Sequence, residues 1–320
     1  MSEYKNLPRK AKIGIMGAGA IGSVIGGMLA KQGHKVTLVG RRPHIDKIRK
    51  SGLHISGIWG DYTICDLNAV TEPPHEFQDI VILTVKSFDT ATAATEAMPM
   101  LGTDTVVASI QNGLGNIEKL TEIFGNEKII GGMAIFGAIL NEPGNVSVTV
   151  IASETLVGEL DGSLTSRVED IVKMLDSAGI PTKPSDNIMR DIWHKVFYNI
   201  ALNPLSAIFG VSYGQIADNP DTGWLAEQMI KEAVQVAKAS GQHLDIDTAD
   251  DYLEILWNQK LPPTRDHKSS MLQDILRGKK TEIDYINGAI IRLGAEYGIE
   301  TPYNSAVVRM VKAKESLGHW

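Results

Sequence analysis

Three polar residues recur at four-residue intervals inside an otherwise apolar stretch of the chain. They are Lys195, Asn199 and Asn203. At about 100° per residue, this spacing places all three side chains on one face of an α-helix. A lysine among apolar neighbours has to be paired, hydrated or functional, and the amides can hold a polar ligand in a fixed orientation. We interpret this face as the wall of an active site; the alternative is a surface lysine beside two solvated amides.

A glycine-rich turn near the N-terminus has the pattern of a dinucleotide-binding motif. An apolar strand starting at Ile13 leads into Gly-x-Gly-x-x-Gly, a helix is expected over Ser23–Lys31, and a second apolar strand over Val36–Val39 completes a β-α-β unit. Such glycines let the backbone approach a pyrophosphate at the positive end of the helix. The predicted turn consists of Gly17, Ala18, Gly19, Ala20, Ile21 and Gly22. A glycine-rich turn without a ligand is the alternative, which the flanking elements do not favour.

Two arginines follow the second strand of this unit. An NAD-specific site usually presents an acidic side chain there, whereas this chain has Arg41 and Arg42 and no carboxylate. Two guanidinium groups suit the 2′-phosphate of NADP, through charge-assisted contacts. We therefore predict NADP(H) as the cofactor; the alternative is a solvated pair of loop arginines.

Two further polar residues follow apolar runs typical of a parallel sheet. Lys86 ends the run that starts at Asp79, and Asn112 follows the run that starts at Thr105. Doubly wound sheets bind their ligands at the carboxyl ends of the strands. The lysine could reach a phosphate, ribose or carboxylate, and the asparagine could orient a carboxamide. The alternatives are an exposed strand-end lysine and a turn-forming Asn-Gly pair.

Composition excludes several classes of protein. The net charge of −7 over 320 residues argues against a nucleic-acid surface, and the apolar stretches are too short to span a membrane. The single cysteine, Cys65, excludes an intrachain disulfide framework, and the polar leader Met1–Lys12 lacks the apolar core of a signal peptide. The histidines show no zinc-ligand spacing, so no metal is implied. We expect a soluble cytoplasmic enzyme that binds neither nucleic acid nor membrane.

The two halves of the chain differ in periodicity. Further strands are expected at 128–134, 145–151 and 155–160, a helix at 164–177, and helices near 187–203, 222–240, 247–259, 281–297 and 303–315. Glycine and prolines at 179–184 mark a boundary between an NADP-binding domain, 1–184, and a substrate and catalytic domain, 185–320. The predicted fold class is α/β, a Rossmann-type doubly wound sheet followed by a mostly α-helical domain. The amphipathic helices suit a homodimer interface or an intrachain core equally well.

A second polar group lies near the C-terminus. Ser269 or Ser270 could cap a short helix, and Thr281-x-x-Asp284 has the pattern of a capping box. Capping does not account for Glu282, which stands beside several residues able to form hydrogen bonds.

Five ordered segments of the chain together resemble the ketopantoate reductase family. They are GAGAIG, TVKS, QNGLG, WHKVFYNIALNPLSAI, and SSMLQD with TEIDYING, and the resemblance covers nearly the whole length. It implies that the chain reduces 2-dehydropantoate to pantoate with NADPH, on the route to coenzyme A. It implies that Lys195 is the proton donor and that Asn199, Asn203 and Ser270 hold the keto acid. It assigns Gly17, Gly19, Gly22, Arg41, Lys86, Asn112, Ala138 and Glu282 to the cofactor.

The expected chemistry depends on the charge of the lysine. Lys195 would stabilise the alkoxide that develops on the ketone oxygen and then protonate it. Burial lowers the pKa of such a lysine, whereas the substrate carboxylate and Glu282 raise it, and the sequence leaves the balance open.

Three positions depart from the family pattern and bear on the identity of the keto acid. His267, Tyr213 and Phe136 stand where asparagine, a polar residue and a smaller or more polar residue are frequent. One alternative is therefore a related NADP-linked reductase of another 2-keto or 3-hydroxy acid. The other is a noncatalytic nucleotide-binding sensor, although such a protein has no need to keep all five polar groups of the predicted site.

Overall fold

A computed structural model describes residues 7–318, which form two compact units. The first unit comprises the described residues up to Gln111 together with Asn116–Ile188, and the second comprises Asn112–Gly115 together with the described residues from Met189 onward. The first six residues of the predicted polar leader lie outside the described part. Among the described helices, none is long and apolar enough to cross a membrane.

The first unit combines strands and helices. Its strands are β1 (Lys12–Met16), β2 (Lys35–Val39), β3 (Leu53–Gly57), β4 (Tyr62–Ile64), β5 (Asn68–Val70), β6 (Gln78–Leu83), β7 (Leu101–Ser109), β8 (Ile129–Met133), β9 (Phe136–Glu142), β10 (Asn145–Ile151), β11 (Thr155–Gly158) and β12 (Thr182–Pro184). Its helices are α1 (Ala20–Lys31), α2 (Arg42–Ser51), α3 (Thr90–Ala97), α4 (Asn116–Phe124) and α5 (Ser166–Ser177).

Eight of these strands form the large sheet of the first unit. Their order is β12-β11-β8-β7-β6-β1-β2-β5, and every neighbouring pair is parallel except β8 with β11. From β5 to β8 the order is that of a dinucleotide-binding sheet, in which the order reverses between β1 and β6. The predicted doubly wound fold is therefore confirmed, and the reversal puts the ends of β1 and β6 where such sheets bind ligands.

Helix α1 packs between two sheets. The large sheet lies on one side, and a second sheet of order β4-β3-β10-β9 lies on the other. A Cβ atom on Gly26 would lie 2.4 Å from Leu38 of the large sheet, and one on Gly27 would lie 2.6 Å from Ile55 of the small sheet. The glycine pair allows this close double packing. Apart from β10, the sequence did not predict the small sheet.

Two boundaries near the nucleotide motif differ from the prediction. Helix α1 begins at Ala20 and not at Ser23, because the second half of the glycine motif forms its first turn. Strand β6 ends at Leu83, so Lys86 lies in the loop beyond the strand. Ligand-binding loops of this fold begin at just these strand ends, and the shift moves Lys86 into one of them.

The second unit is helical, as predicted. It contains α6 (Ile188–Phe209), α7 (Tyr213–Asp218), α8 (Pro220–Ala239), α9 (Ala249–Ile255), α10 (Ser270–Leu276), α11 (Asn287–Tyr297) and α12 (Pro302–Leu317), with a π-helical turn at Leu256–Lys260. The predicted helix 281–297 is wrong in its first part. Residues Ile283–Tyr285 form a separate 3₁₀ turn, and the α-helix starts at Asn287.

Candidate active site

The polar face predicted from four-residue spacing lies on α6. Lys195, Asn199 and Asn203 occupy successive turns of this continuous helix. Lys195 is partly buried, whereas Asn199 and Asn203 are only 7% and 4% exposed. The Asn199 amide forms no hydrogen bond within the described part of the chain, yet its polar atoms keep some solvent access. A nearly buried amide without a protein partner is suited to a ligand.

The surroundings of Lys195 in the second unit shift its pKa in two opposite directions. Burial lowers the pKa of Lys195 to about 8, and the negative charge of Glu282 offsets part of this shift. Glu282 is itself 5% exposed. Desolvation therefore outweighs the acidic neighbour, and a large fraction of the lysine is protonated at neutral pH. A proton donor with a pKa near the working pH is efficient in general acid catalysis.

Ser270 lies near α6 because the preceding residue, Ser269, is bonded to that helix. Ser269 caps α10 by accepting a hydrogen bond from Leu272 N (2.9 Å), which confirms one of the two predicted caps. The Ser269 hydroxyl also donates to the backbone carbonyl of Asn203 (3.1 Å), and the Ser269 N–H donates to Ser206 Oγ (3.2 Å). Ser270, the first residue of α10, is left exposed next to this anchor. Its hydroxyl is therefore available to a ligand that binds at Asn203.

The predicted capping box at Thr281 is wrong. Thr281 Oγ1 accepts from Ile283 N (3.3 Å) within the 3₁₀ turn, and Asp284 pairs with Lys312 (2.6 Å) instead of reaching back. The Thr281 N–H donates to the Glu315 carboxylate (2.7 Å), so a residue of α12 fixes the backbone just before this turn. Glu282 occupies the N-terminal end of the turn without capping it through its side chain. This placement leaves its carboxylate to act on Lys195.

A proline inside α6 has a specific polar partner. Pro204 has no N–H, so the carbonyl of Ile200 loses its usual helical donor. Asn287 supplies the replacement, since its Nδ2 donates to Ile200 O (3.3 Å) and to Asn304 Oδ1 (2.9 Å). Asn304 is in turn held by Glu232, whose carboxylate accepts from its side chain at 2.7 Å. Sequence reasoning missed Asn287; the signal for it was the proline four residues after Ile200.

The glycine turn of the first unit has the geometry that its pattern predicts. Gly17 has φ +107°, and a Cβ atom there would lie 2.7 Å from Val85 N. A Cβ atom on Gly22 would lie 2.2 Å from Gly17 O and 2.3 Å from Thr84 Oγ1. A Cβ atom on Gly19, in contrast, would meet only open space within 4 Å. Gly17 and Gly22 thus serve close packing, and Gly19 borders free volume.

This free volume suits a phosphate group. Gly19 is the N-cap of α1 and has no side chain, so it cannot cap the N–H groups of the first turn through a side-chain acceptor. Helix N-termini of this kind bind anions through those N–H groups and the helix dipole. Ala20 and Ile21 belong to this first turn, and Ala18 is held below it by an N–H bond to Val39 O (2.8 Å). The residues present therefore fit the pyrophosphate of a dinucleotide.

Arg41 and Arg42 lie at the start of α2, where both are exposed. Arg41 is the N-cap residue, and its guanidinium lies 3.9 Å from Asp89, which ends the 3₁₀ turn after Lys86. With its side chain 85% exposed, Arg41 gains little from this ion pair. The structure thus brings Arg41 close to the loop that carries Lys86, and it leaves both arginine side chains exposed.

Sequence reasoning missed the residues that hold these loops. Thr84 Oγ1 donates to Gly17 O (2.8 Å), which links the end of β6 to the glycine turn. Beyond it, Gln111 donates to Thr90 Oγ1 (2.7 Å) and to Val85 O (3.1 Å), and Asn116 donates to Ser87 Oγ (3.1 Å). The available signal was positional, because polar residues at strand ends of a doubly wound sheet line its ligand site.

The remaining predicted cofactor residues lie in different surroundings. Asn112 begins the loop Asn112–Gly115, which belongs to the second unit: Leu114 N–H donates to Tyr285 O (2.9 Å). Gly113 in this loop has φ +81°, and a Cβ atom there would lie 2.4 Å from the same carbonyl. Ala138 is partly buried in β9.

The three residues that depart from the family pattern are all held by ring contacts. Phe136 packs on Trp59 in the first unit, with ring centroids 4.7 Å apart. In the second unit, Tyr213 meets His267 edge to face at 5.2 Å, and the Tyr213 hydroxyl donates to Asn203 Oδ1 (2.6 Å). Tyr213 and His267 therefore belong to the surroundings of the polar face on α6.

Comparison with known proteins identifies the family. The family described as ketopantoate reductase PanE/ApbA matches residues 13–162, and its C-terminal part matches residues 187–315. The 2-dehydropantoate 2-reductase of Pyrococcus horikoshii is 42% identical over 309 residues, which cover 96% of this chain and 98% of that protein.

Solved structures agree over the same length. The crystal structure of a PanE/ApbA family ketopantoate reductase from Ralstonia eutropha JMP134 has a TM-score of 0.85 at 31% identity, covering 96% of this chain and 99% of that one. The ternary structure of D-mandelate dehydrogenase with NADH and anilino(oxo)acetate has a TM-score of 0.88 at 28% identity, covering 96% and 98%. The two family matches and the full-length relative show that this chain belongs to the ketopantoate reductase family.

Proposed function

We propose that this protein reduces 2-dehydropantoate to pantoate with NADPH. The observation that carries the proposal is the polar face of α6, where Lys195 has a pKa near 8 and a buried carboxylate beside it. Family membership makes the chain an oxidoreductase, and the 42% identity to a 2-dehydropantoate 2-reductase favours this keto acid over others.

Residues of the second unit bind the keto acid and donate the proton. Protonated Lys195 binds the ketone oxygen, stabilises the negative charge that develops on it, and then gives up its proton to form the hydroxyl. Asn199, Asn203 and Ser270 hold the hydroxyl and carboxylate of the substrate by hydrogen bonds. Glu282 keeps the lysine charged against the effect of burial.

Most of the residues assigned to the cofactor lie in the first unit. The glycine turn from Gly17 to Gly22 binds the pyrophosphate, and Arg41 with Arg42 binds the 2′-phosphate. By resemblance to the family, Lys86, Asn112, Ala138 and Glu282 complete this site. A bound reduced nicotinamide supplies the hydride. Residues 1–184 thus carry most of the residues assigned to the cofactor, and residues 185–320 carry Glu282 and all of the residues assigned to the substrate.

The choice between NADPH and NADH has a direct test, since D-mandelate dehydrogenase was solved with NADH. We expect the wild-type protein to prefer NADPH, and Arg41→Ala with Arg42→Ala to raise the KM for NADPH by about tenfold or more with little change for NADH. The measurement is steady-state kinetics with both cofactors. Equal losses for the two cofactors would remove the assignment to the 2′-phosphate.

The substrate is tested by NADPH oxidation with ketopantoate beside pyruvate and branched 2-keto acids. We expect fast and selective turnover of ketopantoate. Lys195→Ala should lower turnover by about a hundredfold or more, because general acid catalysis by a positioned group contributes that much, while NADPH binding stays intact. Near-normal turnover by this variant would refute the role of Lys195.

A second candidate function is reduction of an aromatic 2-keto acid. It is favoured by the edge-to-face rings of Tyr213 and His267, of which Tyr213 bonds to Asn203, and by the likeness to D-mandelate dehydrogenase. Adding benzoylformate to the same assay separates the two. A higher kcat/KM for benzoylformate than for ketopantoate would establish this second function in place of the first.

A further inference from the structure

The amide of Asn203 has one end bound by the protein. Its Oδ1 accepts a hydrogen bond from the Tyr213 hydroxyl at 2.6 Å, and its backbone carbonyl accepts from Ser269 Oγ at 3.1 Å. Its Nδ2 makes no hydrogen bond within the described part of the chain, although the residue is only 4% exposed. The two ends of this side chain therefore differ sharply in their surroundings.

The direction of this hydrogen bond follows from the burial of Tyr213. Tyr213 is 3% exposed, and burial holds the pKa of its hydroxyl well above the usual value, so the proton stays on the oxygen. The amide oxygen is the acceptor that this hydroxyl has among the described residues. If the amide were turned around, the buried O–H would face an NH₂ group and lose its acceptor, which is costly in a buried site.

The backbone around Tyr213 leaves the ring little freedom to follow a rotating amide. Tyr213 begins α7, whose N-terminus is closed by a capping box between Ser212 and Gln215. The Tyr213 N–H donates to His267 O (3.0 Å), and the ring meets Tyr198 edge to face at 5.6 Å. The donor is thus preorganised, and the amide adapts to it.

We infer that Tyr213 is a positioning residue, which makes Asn203 a hydrogen-bond donor toward an acceptor group of the substrate. This inference rests on the proposed function. With Oδ1 turned to Tyr213, Asn203 presents its Nδ2–H groups on the helical face that also carries the charged amine of Lys195, two turns away. A carboxylate only accepts hydrogen bonds, so both groups match an anionic 2-keto acid. Tyr213 selects for the carboxylate without touching it.

The first test compares two tyrosine variants. Tyr213→Phe frees the amide to rotate, and we expect the KM for ketopantoate to rise by about tenfold or more, while kcat changes less than about threefold and the Kd of NADPH stays the same. Tyr198→Phe is the matched control. It also removes a ring hydroxyl, here a partly buried one, which bonds to Thr264 Oγ1 at 2.7 Å and not to Asn203, so the KM should stay unchanged.

A double-mutant cycle shows whether Tyr213 acts through Asn203. In an Asn203→Ala background, Tyr213→Phe should add less than about twofold to the KM, because the amide that it orients is absent. The same fold-increase in both backgrounds would overturn the inference and leave Tyr213 a packing residue.

A measurement without substrate separates this inference from the proposed function. In protein labelled with ¹⁵N-asparagine, the Asn203 side-chain NH₂ signal, identified by its loss in Asn203→Ala, should be one pair of N–H cross-peaks in wild type and in Tyr198→Phe. It should shift and broaden or split in Tyr213→Phe. An unchanged signal in Tyr213→Phe would refute the orienting role, whatever the substrate. Absence of 2-keto acid reduction by wild type would refute the proposed function instead.

Discussion

At the scale of single residues, the chemistry of the candidate site depends on how burial and charge combine at one amine. Lys195 lies among apolar neighbours on α6, and desolvation lowers its pKa, whereas Glu282 raises it. The lysine is consequently largely protonated at neutral pH and a neutral amine in alkaline solution. A surface lysine with the usual pKa of about 10.4 would keep its charge over this whole range.

This balance predicts the pH dependence of the reaction. The kcat/KM for the 2-keto acid should fall as pH rises through about 8, because the amine loses the proton that it must donate. Glu282→Gln removes the charge that raises the pKa, so the inflection should move to lower pH. The measurement is the pH profile of kcat/KM at saturating NADPH. Glu296→Gln removes an exposed carboxylate of α11 and should leave the inflection in place; an unmoved inflection in Glu282→Gln would contradict the electrostatic role.

At the scale of elements, the α6 face depends on a helix that continues through a proline. The Asn287 amide replaces the N–H that Pro204 lacks, by donating to Ile200 O at 3.3 Å. Asn287 is also the first residue of α11, five positions after Glu282. One buried amide therefore connects the helix that carries Lys195 to the segment that carries its acidic neighbour.

We expect Asn287→Ala to lower the free energy of unfolding by about 2–4 kcal/mol, because the buried Ile200 carbonyl and the Asn304 amide both lose a donor. Pro204→Ala restores a backbone N–H that can bond to Ile200 O, so the loss from Asn287→Ala should be smaller in that background. Urea unfolding of the four proteins in this cycle measures the difference. An equal loss in both backgrounds would show that the amide does not compensate for the proline.

Elements with strong periodicity were predictable, whereas those formed by tertiary pairing were not. The apolar strands β1, β6 and β7 and the amphipathic helices of the second unit have patterns long enough to be distinguished. The strands β3 and β4 are short and interrupted by polar residues. They join the small sheet because β3 pairs with β10, which is distant in sequence, and β4 pairs with β3. Likewise, spacing along α6 placed Lys195 with the two amides, but no local pattern could place Asn287 or Tyr213 beside them.

At the scale of the whole molecule, both units bury imidazole groups. Burial lowers the pKa of His34 and His44 in the first unit, and of His194 and His267 in the second. The unfolded chain binds these protons with a pKa of about 6.5. At pH values between 6.5 and the lower pKa of the folded state, the unfolded chain binds more protons than the folded chain does. The stability that the neutral imidazoles contribute is therefore complete above about pH 6.5 and is lost as pH falls toward the folded pKa.

His44 allows this effect to be tested at one site. Its Nδ1 accepts from the Gly144 N–H (2.9 Å), so its Nε2–H donates to Ser23 Oγ (2.9 Å) on the nucleotide-binding helix α1. A proton on Nδ1 would face another N–H group, so protonation breaks this connection. His44→Gln cannot titrate, and we expect its urea midpoint to fall less steeply than that of wild type between pH 7.5 and about 5.5. His243→Gln, which removes an exposed imidazole, is the control, and an unchanged slope in His44→Gln would show that acid acts on the fold through other groups.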